Sequence, residues 1–146
     1  MSSKREVFDQ TSRLPIRPGL FIEHPDPSKG ASLIGCRCRE CGNTFFPKEE
    51  ICPVCIKEGT LDEILLDGKG KLVSFTRVLR PIPGFDSPYA LGCIELEAGP
   101  VLIAQLEDWQ GLDLEMDMPV ELVIGEIKRD KDGNTIIGPK FRPLTN

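Results

Sequence analysis

Two close cysteine pairs, Cys38-Arg39-Glu40-Cys41 and Cys52-Pro53-Val54-Cys55, constrain this chain more than any other feature; ten residues separate them. Each C-x₂-C pair wraps a tight turn that aims two sulfurs at one point, and two such turns complete a tetrahedron around a metal ion. Gly42 directly follows the first pair, where a residue without a Cβ accepts the positive φ that the turn needs. Pro53 stiffens the second. Four thiolates with no open position describe a structural site, not a catalytic one, and zinc is the expected metal. Iron fits the same S₄ geometry, so an electron carrier of the rubredoxin kind stays open at this point. A structural zinc supplies on the order of 10–16 kcal/mol of apparent binding free energy in small peptides. That is ample for a short ribbon with almost no core.

The alternative use of the six cysteines, disulfide pairing, needs an oxidising compartment. The start, MSSKREVFDQTSRLP, is polar with no apolar h-region, and no aliphatic run is long enough to cross a bilayer. A cytoplasmic location without membrane contact is therefore expected, and metal binding with it. Cys36 stands too close to Cys38 for a knuckle and reads as a half-buried free thiol beside the site. Cys93, in YALGCIELE, reads as a small core hydrophobe.

Three segments follow from the pattern. Residues 1–30 form an arm carrying Pro15, Pro18, Pro25 and Pro27, with a short helix expected near Lys4 to Gln10. Its Leu14, Ile16, Leu20, Phe21 and Ile22 require a surface to pack on, either the body of the chain or a partner. Residues 31–60 form the ribbon. Residues 61–146 read as strands: Leu72 to Leu79, then YALGCIELE and PVLIAQLE joined in a hairpin at Ala98-Gly99, then MPVELVIGEI, then a last strand after Asp132-Gly133-Asn134. PIPGFDSP (81–88) is a loop fixed by prolines and a glycine. Five strands rich in turns, with no helical stripe, predict a small closed barrel of the OB kind, with a β-sandwich as the competing architecture. The fold class is thus mainly β: N-terminal arm, rubredoxin-like zinc ribbon, five-stranded OB-fold barrel.

The motif order then resembles one family. Cys38-Arg39-Glu40-Cys41-Gly42, Phe46-Pro47 and Cys52-Pro53-Val54-Cys55 precede Gly68-Lys69-Gly70-Lys71-Leu72-Val73-Ser74-Phe75-Thr76. Pro83-Gly84, Pro88-Tyr89 and Met118-Pro119-Val120 follow in order. Over about residues 31–127 this is similar to the acyl-CoA-associated OB-fold proteins with a rubredoxin-like zinc ribbon. The resemblance implies a small non-catalytic subunit beside a thiolase-fold protein, supporting assembly and the binding of a CoA thioester.

The residues agree that independent catalysis is not expected, and no catalytic residue is assigned. Thiolase-type chemistry needs a nucleophilic thiolate with an acid/base partner. His24 is the chain's one histidine, sits in the arm, and reads as solvent-exposed or docking. Cys38, Cys41, Cys52 and Cys55 are committed to metal. For the implied CoA thioester, the candidate contacts are the cations at the ribbon–barrel seam, Arg37, Arg39, Lys48, Lys69, Lys71, Arg77 and Arg80. Phe85 and Tyr89 would line an adenine or acyl pocket.

The alternative reading is a single-strand nucleic-acid binder, since ribbons and OB barrels both serve there. Charge argues against it. The chain carries a net −5, and Glu95 to Glu126 holds nine carboxylates with no Lys or Arg. The basic groove and stacking aromatics that such binding requires are thin here.

Overall fold

The computed structural model describes residues 13–80, 82–84 and 88–144. The helix expected near Lys4 to Gln10 lies outside them, and so does Phe85. Among the described residues there are ten strands and no α-helix: β1 (Arg13–Pro15), β2 (Phe21–Glu23), β3 (Ala31–Cys38), β4 (Thr44–Phe45), β5 (Leu61–Leu66), β6 (Lys69–Val78), β7 (Tyr89–Leu96), β8 (Val101–Leu106), β9 (Pro119–Arg129) and β10 (Thr135–Pro143). No helix among these residues is long and apolar enough to cross a membrane.

Period-two burial makes the barrel. Along β7 the residues Ala90, Gly92, Ile94 and Leu96 are buried, while their odd-numbered neighbours are half-exposed. The strands close in the order β6-β7-β8-β10-β9 and back to β6. Only the β8–β10 pairing in this ring is parallel. This is the expected five-stranded OB barrel, not a sandwich. A register shift between Leu72 and Ser74 bends β6, which pairs with β7 on one side and β9 on the other. The β7–β8 hairpin turns at Ala98-Gly99, with the Gly99 amide donating to the Leu96 carbonyl at 2.9 Å.

The ribbon is a second sheet built on β3. Along one edge β5 pairs antiparallel, from Leu33↔Leu66 to Cys38↔Leu61. Along the other edge lie β2, opposite Ala31 to Leu33, and β4, opposite Cys36 and Arg37. From β5 the chain passes through Asp67-Gly68 straight into β6. The two sheets share one core. Leu33 and Leu66 of the ribbon belong to the same buried cluster as Leu72, Ile94, Leu106, Val120 and Phe141 of the barrel. Burying each such side chain contributes about 1.5–3 kcal/mol.

The described part of the arm, from Arg13 onward, joins both sheets of the body. β1 runs parallel to the first half of β10, and the Ile16 amide continues the pairing to the Ile137 carbonyl at 2.7 Å. β2 joins the ribbon sheet instead. Arg13 grips Glu23 with two hydrogen bonds of 2.9 and 3.1 Å, tying the barrel-bound strand to the ribbon-bound one. The segment 107–118, which joins β8 to β9, has no helix; its Leu114 is buried, and Trp109, Leu112 and Met118 pack against the core.

Candidate metal centre

Each knuckle is one tight turn. After Cys38 the chain reverses, and the Gly42 amide donates back to the Cys38 carbonyl at 2.9 Å. The second knuckle repeats this between the Ile56 amide and the Cys52 carbonyl at 2.8 Å. Cys38 is the last residue of β3, so the strand that enters the shared core also delivers the first sulfur. The four sulfurs of Cys38, Cys41, Cys52 and Cys55 lie within 4.8 Å of one another. A tetrahedral site with Zn–S bonds of about 2.3 Å has S···S edges of about 3.8 Å. The Cys38–Cys55 and Cys41–Cys52 edges measure 3.9 and 3.7 Å, so the cluster fits zinc.

Polar neighbours prepare the sulfurs for a cation. The Thr60 hydroxyl, 3.3 Å away, holds the Cys38 thiol down to about 6, helped by the Cys41 amide. Cys41 is lowered chiefly by the Asn43 amide, and the Asn43 side chain also donates to its sulfur at 3.2 Å. Cys55 is pushed up to about 12, first by its hydrogen bond with Cys41. Without an ion the cluster resists four simultaneous negative charges, and a divalent cation removes that conflict. Bound zinc would be held by all four thiolates and would lock the two knuckles together. Asn43 could be suspected from the turn after Cys41-Gly42. Thr60 gives no sequence signal, because only the β3–β5 pairing brings it beside Cys38.

The other thiols and the histidine depart from their sequence readings. Cys36 is not half-buried but 2 % exposed, and it accepts the Glu49 amide at 3.3 Å. Cys93 is not in the core: it sits half-buried on the outward side of β7, opposite Ile103, because Gly92 and Ile94 take the inward positions. His24 is half-buried rather than solvent-exposed, and its Nε2 lies 2.8 Å from the hydroxyl of buried Ser32.

The candidate CoA contacts do not converge on one cavity. Arg39 pairs with Asp62, Lys48 with Glu63 at 2.8 Å, and Lys71 lies 3.8 Å from both Glu95 and Asp117. Arg37 donates to the Thr44 hydroxyl at 3.2 Å. Arg77 stacks over Phe75 and Trp109, with the guanidinium 5.6 and 5.8 Å from the ring centres. Arg80 is exposed after β6. Lys69 lines a seam cleft of about 710 Å³ with His24, Lys29 and Arg142. Tyr89 faces a different cleft of about 290 Å³, beside Trp109 and Lys140.

Residues 32–62 match the family described as ChsH2, rubredoxin-like zinc ribbon domain. Residues 63–125 match ChsH2, C-terminal OB-fold domain. A DUF35 domain-containing scaffold protein of Pyrococcus furiosus is 42 % identical over 77 % of this chain and 83 % of its own length. The benzoylsuccinyl-CoA thiolase subunit BbsA of Thauera aromatica is 35 % identical over 88 % of this chain and 92 % of its own. Among solved structures, an Ltp2-ChsH2(DUF35) aldolase superposes with a TM-score of 0.61 and 28 % identity, covering 78 % of this chain and 86 % of that one.

Proposed function

Because this chain belongs to the ChsH2-type family, which joins a rubredoxin-like zinc ribbon to an OB-fold domain, we propose that it is a non-catalytic accessory subunit of an acyl-CoA enzyme of the thiolase or aldolase type. The observation that carries the reading is the match along 88 % of the chain to a protein named as a thiolase subunit. The site supports it. The clustered thiols are those of a closed metal centre, and the single histidine is engaged with Ser32 rather than with a thiol. Zinc then fixes a surface that the partner uses, and the chemistry belongs to the partner.

We further propose that the CoA thioester touches this subunit at the ribbon–barrel seam, in the cleft of about 710 Å³ lined by Lys29 and Lys69. These two ammonium groups suit the diphosphate end of the ligand; Arg142 is already paired with Glu121, and Glu23 and Asp67 share the lining.

Co-expression with the thiolase-like or aldolase-like chain encoded beside it tests the reading. A stable complex is expected, turning over an acyl-CoA that the zinc-loaded small chain alone leaves untouched. Turnover by the small chain alone, or no association with the larger one, overturns it.

A further inference from the structure

We propose that the open edge of β8 accepts an extended, apolar strand carrying one acidic residue, contributed by the partner enzyme subunit; this rests on the accessory-subunit reading. β8 pairs with β7 along nearly its whole length, but with β10 only through Gln105 and Leu106. The first half of β10 pairs with β1 instead. The barrel is therefore split between β1 and the first half of β8, and among the described residues no strand pairs with Val101 to Ala104 on that side.

A largely apolar cleft of about 570 Å³ follows the split, lined by Ile16, Arg17 and Leu20 of the arm, Phe46 of the ribbon, and Val101 and Ile103 of β8. Val101 is 57 % exposed and Ile103 72 %. Free strand edges are normally guarded by a lysine, an internal proline, a bulge or a covering element. β8, Val-Leu-Ile-Ala-Gln-Leu, has none of the side-chain guards, in a chain that is 28 % charged.

Two features select the occupant. A row of backbone donors and acceptors beside an apolar slot favours an extended peptide over a compact ligand, since main-chain hydrogen bonds carry the affinity and alternate side chains the fit. Charge adds a constraint: Arg17 is the one charged residue among those lining the slot, so an acidic residue at that end of the incoming strand complements it.

The test compares the isolated chain with the co-expressed complex by hydrogen–deuterium exchange, and compares assembly of Ile103→Lys and Ile103→Val. In the complex, amides of Val101 to Ala104 not already bonded to β7 are expected to slow by about tenfold or more. Ile103→Lys should weaken assembly by about tenfold or more, with zinc content and circular dichroism unchanged, while Ile103→Val assembles normally. A complex that forms with unchanged exchange along β8 overturns this inference and leaves the accessory reading standing. Absence of any complex removes both. Protection of β8 in a dimer of the isolated chain, or by a CoA thioester alone, assigns another occupant and also overturns it.

Discussion

Ile56 occupies in the second cysteine knuckle the place that Gly42 occupies in the first: each follows the closing cysteine, with φ of 59° and 78°. Glycine tolerates this conformation freely, whereas a β-branched residue sits there at a cost of about 1–2 kcal/mol. Ile56 is 72 % exposed, so removing its side chain forfeits little packing. Ile56→Gly should raise the stability of the zinc-loaded protein by about 1 kcal/mol after glycine's extra backbone entropy is counted. Gly42→Ala should lower it by a similar amount, about 1 kcal/mol, through φ alone, since nothing lies within 4 Å of the added Cβ. Urea midpoints of the two variants decide; a destabilised Ile56→Gly contradicts the strain.

Zinc removal should not stop at the knuckles. Leu33 and Leu66 lie on ribbon strands yet are 0 % and 5 % exposed within the core they share with the barrel. Losing the ion frees the Cys38–Leu61 end of the β3–β5 ladder, and unzipping from there reaches Leu33 and Leu66 at its other end and takes them out of the barrel's core. A chelator, or Cys52→Ser, is expected to abolish the strand signal in circular dichroism and to shift the fluorescence of Trp109 in the same transition. Lowering the pH should do the same, because protons compete with zinc for the thiolates. A metal-free chain that keeps its barrel spectrum and its Trp109 emission would show two independent units.

The knuckles and barrel strands were legible because their signals are local. Two C-x₂-C pairs announce convergence, and the alternation from Tyr89 to Leu96 announces a half-buried strand. What escaped depends on pairing between distant segments. The three residues Arg13–Pro15 carry no strand signature of their own and become β1 only because β8 leaves part of β10 unpaired. Leu61 to Leu66 falls within the 61–146 segment assigned to the barrel, but it forms β5 and pairs with β3 of the ribbon. Cys93 shows the limit of composition: an apolar neighbourhood does not reveal which face of a strand a thiol takes, and a one-residue step reverses it. Charge marks the cationic candidates for CoA contact at the ribbon–barrel seam, but it does not show that Arg39, Lys48 and Lys71 face acids of their own.

Gly68 marks the crossing from ribbon to barrel, and it should be among the least replaceable glycines. Its φ is +77°, and a Cβ built there falls 2.3 Å from the Cβ of Leu122, whose own amide donates to the Gly68 carbonyl at 3.0 Å. Gly68→Ala combines backbone strain with overpacking against β9, together about 3 kcal/mol. Gly133→Ala, in the β9–β10 turn, has a closely matched φ of +83° but nothing within 4 Å. It isolates the strain, so its loss should be clearly smaller. Equal losses in urea unfolding would mean that the approach of Leu122 carries no weight.

Lys140 and Glu107 should behave as a coupled pair. The Lys140 side chain is only 11 % exposed, and its Nζ lies 3.3 Å from Glu107 Oε1 and 3.1 Å from the Glu126 carbonyl. Gly125 makes room for them: a Cβ there would meet Glu107 Oε2 at 2.5 Å and Lys140 Cδ at 3.0 Å. Removing one member of a buried pair costs about 3–5 kcal/mol when the other is left without water. Glu107 keeps 35 % of its side chain exposed, so Lys140→Met should fall below that range, at about 2 kcal/mol. Glu107→Gln leaves the ammonium with a weaker acceptor and should cost about 1 kcal/mol. Together the substitutions should cost less than the sum of the two, with a coupling of about 1 kcal/mol measured by a double-mutant cycle in urea. The coupling should survive molar salt, because a pair this enclosed is screened far less than one on the surface. Strict additivity would mean that the two charges stabilise the barrel separately, and a coupling abolished by salt would place them in water rather than in the wall of the cleft.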